Sequence, residues 1–128
     1  MSERLVIDTN VLVDHFRKLP AAIDFISKLV RRPVISAITV GELFAGVREG
    51  KEREEIERFL SRTVVLDVDE QIAIRAGLML RQFQKSHAVG LADALIAATA
   101  DAEGARIVTL NTKHFPMFND VLVPYQKA

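Results

Sequence analysis

Four short apolar runs recur along the chain with helix-length segments between them: Arg4–Ile7, Pro33–Ser36 (PVIS), Thr63–Leu66 (TVVL) and Arg106–Leu110 (RIVTL). Runs this short, rich in valine and isoleucine, read as strands. Proline stands only at the start of one, where a missing N–H does little harm. The intervening segments carry helical spacing. Ala21–Val30 puts Ile23, Ile26, Leu29 and Val30 on one face after Pro20, a residue suited to a first helical turn. Thr39–Val47 (TVGELFAGV) follows with Thr39 as its expected N-cap. Lys51–Ser61 is charged, with Ile56, Phe59 and Leu60 on one side. Glu70–Lys85 and Ala92–Ala102 are two further helices, the last stopped by Gly104. A short final strand is expected at Val121–Val123. Strand–helix alternation of this kind predicts an α/β fold with a parallel sheet covered on both faces.

No repeat, low-complexity tract or Gly/Ser linker interrupts the 128 residues, so one domain over 1–128 is expected. There is no cysteine, which removes disulfides, thiol nucleophiles and Cys-based zinc sites. A cytoplasmic setting fits that composition, and the first residues do not form a signal peptide. No segment reaches the ~20 apolar residues of a membrane span. The 17 basic and 17 acidic residues balance, which argues against a non-specific polyanion binder. An enzyme that handles nucleic acid through a metal and a local basic patch remains open.

The stretch LVIDTN carries the chemistry. Its apolar run ends at once in Asp8, Thr9 and Asn10, and ligands of α/β sheets bind outside the carboxyl ends of the strands. In a right-handed α/β fold three other polar positions reach that edge: Glu42 in the early helix, Asp93 at the start of GLADALIAATA, and Asn111 after RIVTL. Carboxylates gathered in one cleft repel each other unless a cation lies between them. Without a His or Cys cluster they favour a hard ion, Mg²⁺ or Mn²⁺, which can activate a water for attack on phosphorus. Each residue also has an ordinary structural use. Asp8 can cap a helix beginning near Asn10, Glu42 can complete a T-x-x-E capping box with Thr39, and Asp93 can sit in a first turn favoured by the helix dipole. Asp14, Asp24, Asp67, Asp69, Asp101 and Asp120 read as surface, cap or turn residues. His15, His87 and His114 show no metal-binding spacing, and His114 reads as a loop residue near the proposed edge.

Taken together, VIDTNVLVD, ITVGELFAGV and ADALIAATA…IVTLNTKHF resemble the PIN-domain ribonucleases, in particular the toxin subunits of VapBC-type toxin–antitoxin modules. The resemblance runs from Asp8 to about Phe115. It implies an α/β/α sandwich with a short, mostly parallel sheet, and Mg²⁺- or Mn²⁺-dependent RNA cleavage leaving 5′-phosphate and 3′-hydroxyl ends. It also implies a homodimer and inhibition by a small VapB-like antitoxin. By motif, Asp8, Glu42 and Asp93 are the metal-binding acids, with Asn111 as the fourth catalytic position; Thr9, Asn10 and Thr109 stand behind them to orient acids or waters. Asn111 stands where many members have Asp, and His114 where many toxins have Asp or Glu, which implies one well-held ion. Arg48, Lys51 and Lys113 are the expected phosphate contacts. Aromatics are few, seven Phe and one Tyr, and Phe16, Phe25, Phe44 and Phe59 fall on helical faces as core or interface residues, so RNA is expected to be read by shape and backbone. The apolar faces around Phe44 and Val47 could receive an antitoxin helix or simply pack. Two other readings exist: a receiver-like domain, which lacks here its second adjacent acid, and a PIN-fold module that binds RNA or protein without turnover.

Overall fold

Leu5–Ile7 form β1, the strand that leads to Asp8, and alternation sends its side chains to opposite faces of the sheet. The structure is a computed structural model, and it describes residues 3–127. After β1 come α1 (Thr9–Phe16), α2 (Pro20–Ser27), β2 (Val34–Ser36), α3 (Ala37–Ala45) and α4 (Lys51–Leu60). Then follow β3 (Val64–Leu66), α5 (Glu70–His87), α6 (Leu91–Glu103) and β4 (Arg106–Val108), with a 3-10 turn at Thr112–His114. All the strand pairings are parallel, in the order β3-β2-β1-β4.

The sheet divides the core. Ile7 packs with Val11, Leu12, Phe16, Ile35, Leu43, Ile56, Phe59 and Val108, which places α1, α3 and α4 on one side. Val6 packs with Val34, Ile96, Ala97, Ala100, Ile107 and Phe115 on the other, under α6. α5 covers α6 through Ile72 and Ala76 against Ala94, Leu95 and Ala98. This is the expected three-layer α/β/α sandwich. α6 is buried along Ala94–Ala100, and its alanines let it lie close to sheet and neighbour. It ends at Gly104, whose φ of +60° is a left-handed conformation that glycine adopts at least cost.

Several boundaries differ from the sequence expectation. α2 stops at Ser27, whose hydroxyl donates to the Asp24 carbonyl, and Val30 beyond it is 78% exposed rather than on the buried face. α3 starts two residues earlier than expected and is capped by Ser36, whose Oγ accepts from the Ile38 N–H. Thr39 is therefore not the cap; it is wholly buried one turn into the helix. β4 ends at Val108, and Val121–Val123 is not a strand. Instead Leu122 makes a single parallel bridge with Val108, its N–H donating to the Ile107 carbonyl and its carbonyl accepting from Thr109 N–H. No helix among the described residues is long and apolar enough to cross a membrane.

Candidate active site

Asp8 leaves β1 and caps α1. Its Oδ1 accepts from the Thr9 N–H at 2.8 Å, so the structural use and the expected placement coincide. Its Oδ2 accepts from the Thr109 hydroxyl at 2.6 Å. The carboxylate is 5% exposed. Burial pushes its pKa up to about 6, the two hydrogen bonds pull against that, and the negative charges of Asp93 and Glu42 add to the rise. Asp8, Glu42 and Asp93 thus share one electrostatic neighbourhood although they come from β1's end, α3 and α6.

Their supports are short-range and specific. The Thr9 hydroxyl donates to Glu42 Oε1 at 2.7 Å and lies 3.0 Å from Thr39 Oγ1. Glu42 is consequently not a capping-box partner of Thr39; both meet Thr9 instead. Asp93, at the third position of α6, accepts from the Gly90 N–H at 3.3 Å, so it also closes the entry to its own helix. Thr109 is the hub. Besides bonding Asp8, its oxygen accepts from the Asn111 N–H at 3.0 Å and faces Asn10 Nδ2 at 3.5 Å. Asn10 Oδ1 is buried and has no protein partner. Thr109→Val keeps the shape but strips Asp8 of a donor and the Asn111 N–H of an acceptor. It is expected to cost about 1–3 kcal/mol in urea unfolding, while Thr109→Ser costs much less.

The sequence underrated one residue. His114 stands in the 3-10 turn rather than in a solvated loop, with Nδ1 2.9 Å from Asn111 Nδ2 and 3.3 Å from Asp93 Oδ2. The signal was its place three residues past Asn111, directly after a strand that ends in polar groups. The other histidines lie elsewhere: His15 packs against Phe16 and Phe59, and His87 meets Ser86. Asp101 pairs with Arg75 at 2.7 Å, away from the acids. Arg48 is engaged by Glu52 through both its guanidinium and its backbone N–H. Phe44 and Val47 pack against the core cluster, as ordinary packing predicts.

With the side chains as they stand, no three acidic or imidazole groups among the described residues close on one point. Glu42 is turned onto Thr9, and Asp93 onto Gly90 and His114. The oxygen-rich donor set, the orphaned Asn10 Oδ1 and the strained charge of Asp8 nevertheless fit a hard divalent cation.

The PIN-domain family model matches residues 5–119. The chain belongs to the PIN-domain family. Ribonuclease VapC10 of Mycobacterium tuberculosis is 41% identical over 124 residues, covering 94% of this chain and 92% of that protein. Ribonuclease VapC19 of the same organism is 40% identical over 124 residues, covering 94% and 98%. Among solved structures, a toxin–antitoxin complex from Klebsiella pneumoniae superposes with a TM-score of 0.83 at 27% identity, covering 96% of this chain and 99% of that one. In this chain Asp8 follows the carboxyl end of β1, Thr109 and Asn111 follow that of β4, and Glu42 and Asp93 lie in α3 and α6.

Proposed function

We propose that this PIN-domain chain is a metal-dependent endoribonuclease and the toxin of a type II toxin–antitoxin pair. The observation that carries the reading is the buried Asp8, its pKa pushed up to about 6 beside Glu42 and Asp93, in a chain 41% identical to a ribonuclease. Asp8, Glu42 and Asp93 would hold Mg²⁺ or Mn²⁺, directly or through water, and Asn111 would support the hydration shell. When bound, such an ion supplies Lewis acidity, activating a water for in-line attack on phosphorus and offsetting charge on the departing oxygen.

The chain's own groups do the positioning. Thr109 fixes Oδ2 of Asp8, and the Thr9 N–H fixes Oδ1, so the carboxylate cannot rotate. The Thr9 hydroxyl holds Glu42, which is exposed and can swing toward an ion by a change of rotamer. Asn10 and Thr109 tie the end of β4 to the start of α1. Lys113, exposed in the turn beside Asn111, is the better phosphate contact, because Arg48 is already committed to Glu52. Solved relatives include toxin–antitoxin complexes, which supports an antitoxin as partner, and the curated relatives named as ribonucleases support RNA as substrate. A cytoplasmic setting belongs to the same reading. A homodimer accords with the same resemblance.

Incubating the partner-free chain with total cellular RNA tests the reading. Discrete cuts bearing 5′-phosphates are expected with Mg²⁺ or Mn²⁺, and none in chelator. Intact RNA from a chain that binds metal would replace the nuclease by a non-cleaving PIN-fold binding module.

A further inference from the structure

We propose that His114 is a nitrogen ligand which, with Asp93, takes a divalent transition-metal ion in the acidic cleft and biases it toward Mn²⁺ over Mg²⁺. This rests on the metal-dependent reading above and specifies the ion. The turn that carries His114 is anchored on both sides. The His114 N–H donates to the Asn111 carbonyl, the Phe115 N–H to the Thr112 carbonyl, and Phe115 itself is fully buried. The imidazole is therefore presented by a fixed backbone rather than by a swinging loop.

Its Nδ1 lies 3.3 Å from Asp93 Oδ2. That is longer than a charge-assisted N–H···O bond, which runs to about 2.7–2.9 Å. It matches two donor atoms sharing one ion: ligands at about 2.1 Å and at right angles sit about 3 Å apart. The Asn111 side-chain amide is 2.9 Å from the same Nδ1, so one ring nitrogen faces both Asn111 and Asp93. A divalent ion held between Asp93 and His114 would take one carboxylate oxygen of the first and the ring-nitrogen lone pair of the second.

The chemistry of the pair selects the ion. Mg²⁺ holds to oxygen ligands and sheds water reluctantly, whereas first-row transition ions accept imidazole readily. A site of carboxylates alone is indifferent between Mg²⁺ and Mn²⁺ in ligand type. The same site with one imidazole is not. An imidazole among oxygen donors therefore sets metal preference rather than simply adding one more weak ligand.

Mn²⁺ binding to the full-length, partner-free chain can be followed by electron paramagnetic resonance, with pulsed experiments reading nitrogen hyperfine coupling. The wild type is expected to show imidazole coupling. In His114→Asp the coupling disappears and the Mn²⁺-to-Mg²⁺ affinity ratio, measured by competition, falls about tenfold or more. His114→Gln, which keeps a neutral side chain, is expected to lose the coupling with an unchanged melting profile. Bound Mn²⁺ without coupling, or an unchanged ratio in His114→Asp, overturns the ligand role and leaves the carboxylate site standing. Failure to bind Mn²⁺ at all overturns both.

Discussion

Asp8→Asn is expected to abolish RNA cleavage and, in the metal-free protein at neutral pH, to raise stability. The loss of activity follows from removing the one buried carboxylate of the cleft. An ion's contribution to phosphoryl chemistry is several kcal/mol, and each ~1.4 kcal/mol is a factor of ten, so a loss of at least about 10³-fold is expected. The gain in stability follows from the pKa. Asp8 rises from an ordinary 3.8 to about 6 in the folded protein, mainly because burial disfavours its charge. Between those values the folded chain holds a proton that the unfolded chain has released. Stability is therefore fully present below about pH 4, falls as pH rises through 6, and stays reduced above. Two units correspond to about 3 kcal/mol, an upper figure for what the charge costs. Asparagine keeps the carbonyl acceptor for the Thr9 N–H and carries no charge. Urea unfolding in chelator at pH 4.5, 6 and 8 reads the outcome: wild type should weaken across the series and the variant should not. Parallel profiles would mean that the folded protein already compensates the charge. Added Mn²⁺ should restore the wild type and leave the variant unmoved.

The sheet and most of the site were legible in the sequence because both depend on local order. An apolar run followed by Asp8 marks a strand end whatever the rest does, and GLADALIAATA declares a helix too apolar to be exposed. Ser36 and Thr39 show where that legibility stops. Both carry a hydroxyl near the start of α3, and only the point where β2 releases the chain decides which one caps. Once Ser36 does, Thr39 is carried round to Thr9, thirty residues away, and the T-x-x-E spacing loses its meaning. Leu122 is a similar case. Its bridge to Val108 depends on where the tail returns after the turn, and three apolar residues look the same in a strand or beside one. His114 was underrated for a third reason. Its contact with Asn111 is local, three residues along the turn, but its approach to Asp93 is set by the packing of α6 against the end of β4, which no spacing within the chain encodes.

Phe115→Ala is expected to cost about 3–5 kcal/mol of folding stability, the usual range for truncating a buried aromatic. Domains of this size have about 5–15 kcal/mol in all, so the variant would sit close to unfolding. The ring is wholly buried against Val6 and Ile107 of the sheet and Ala97 and Ala100 of α6. Ala97 and Ala100 can contribute little volume to the space left, so a cavity cost adds to the lost burial. Phe115→Leu should lose much less, because it keeps most of the volume. Phe115 also anchors the 3-10 turn through its N–H, one residue after His114. Urea unfolding in chelator, followed by circular dichroism, gives the loss. At temperatures where Phe115→Ala remains folded, its Mn²⁺ affinity should fall as well, since His114 and Asn111 lose their fixed backbone while Asp8 keeps its own. A loss below about 1.5 kcal/mol would mean that the core closes over the missing ring. Undiminished Mn²⁺ affinity would show that the turn holds its shape without the ring beneath it.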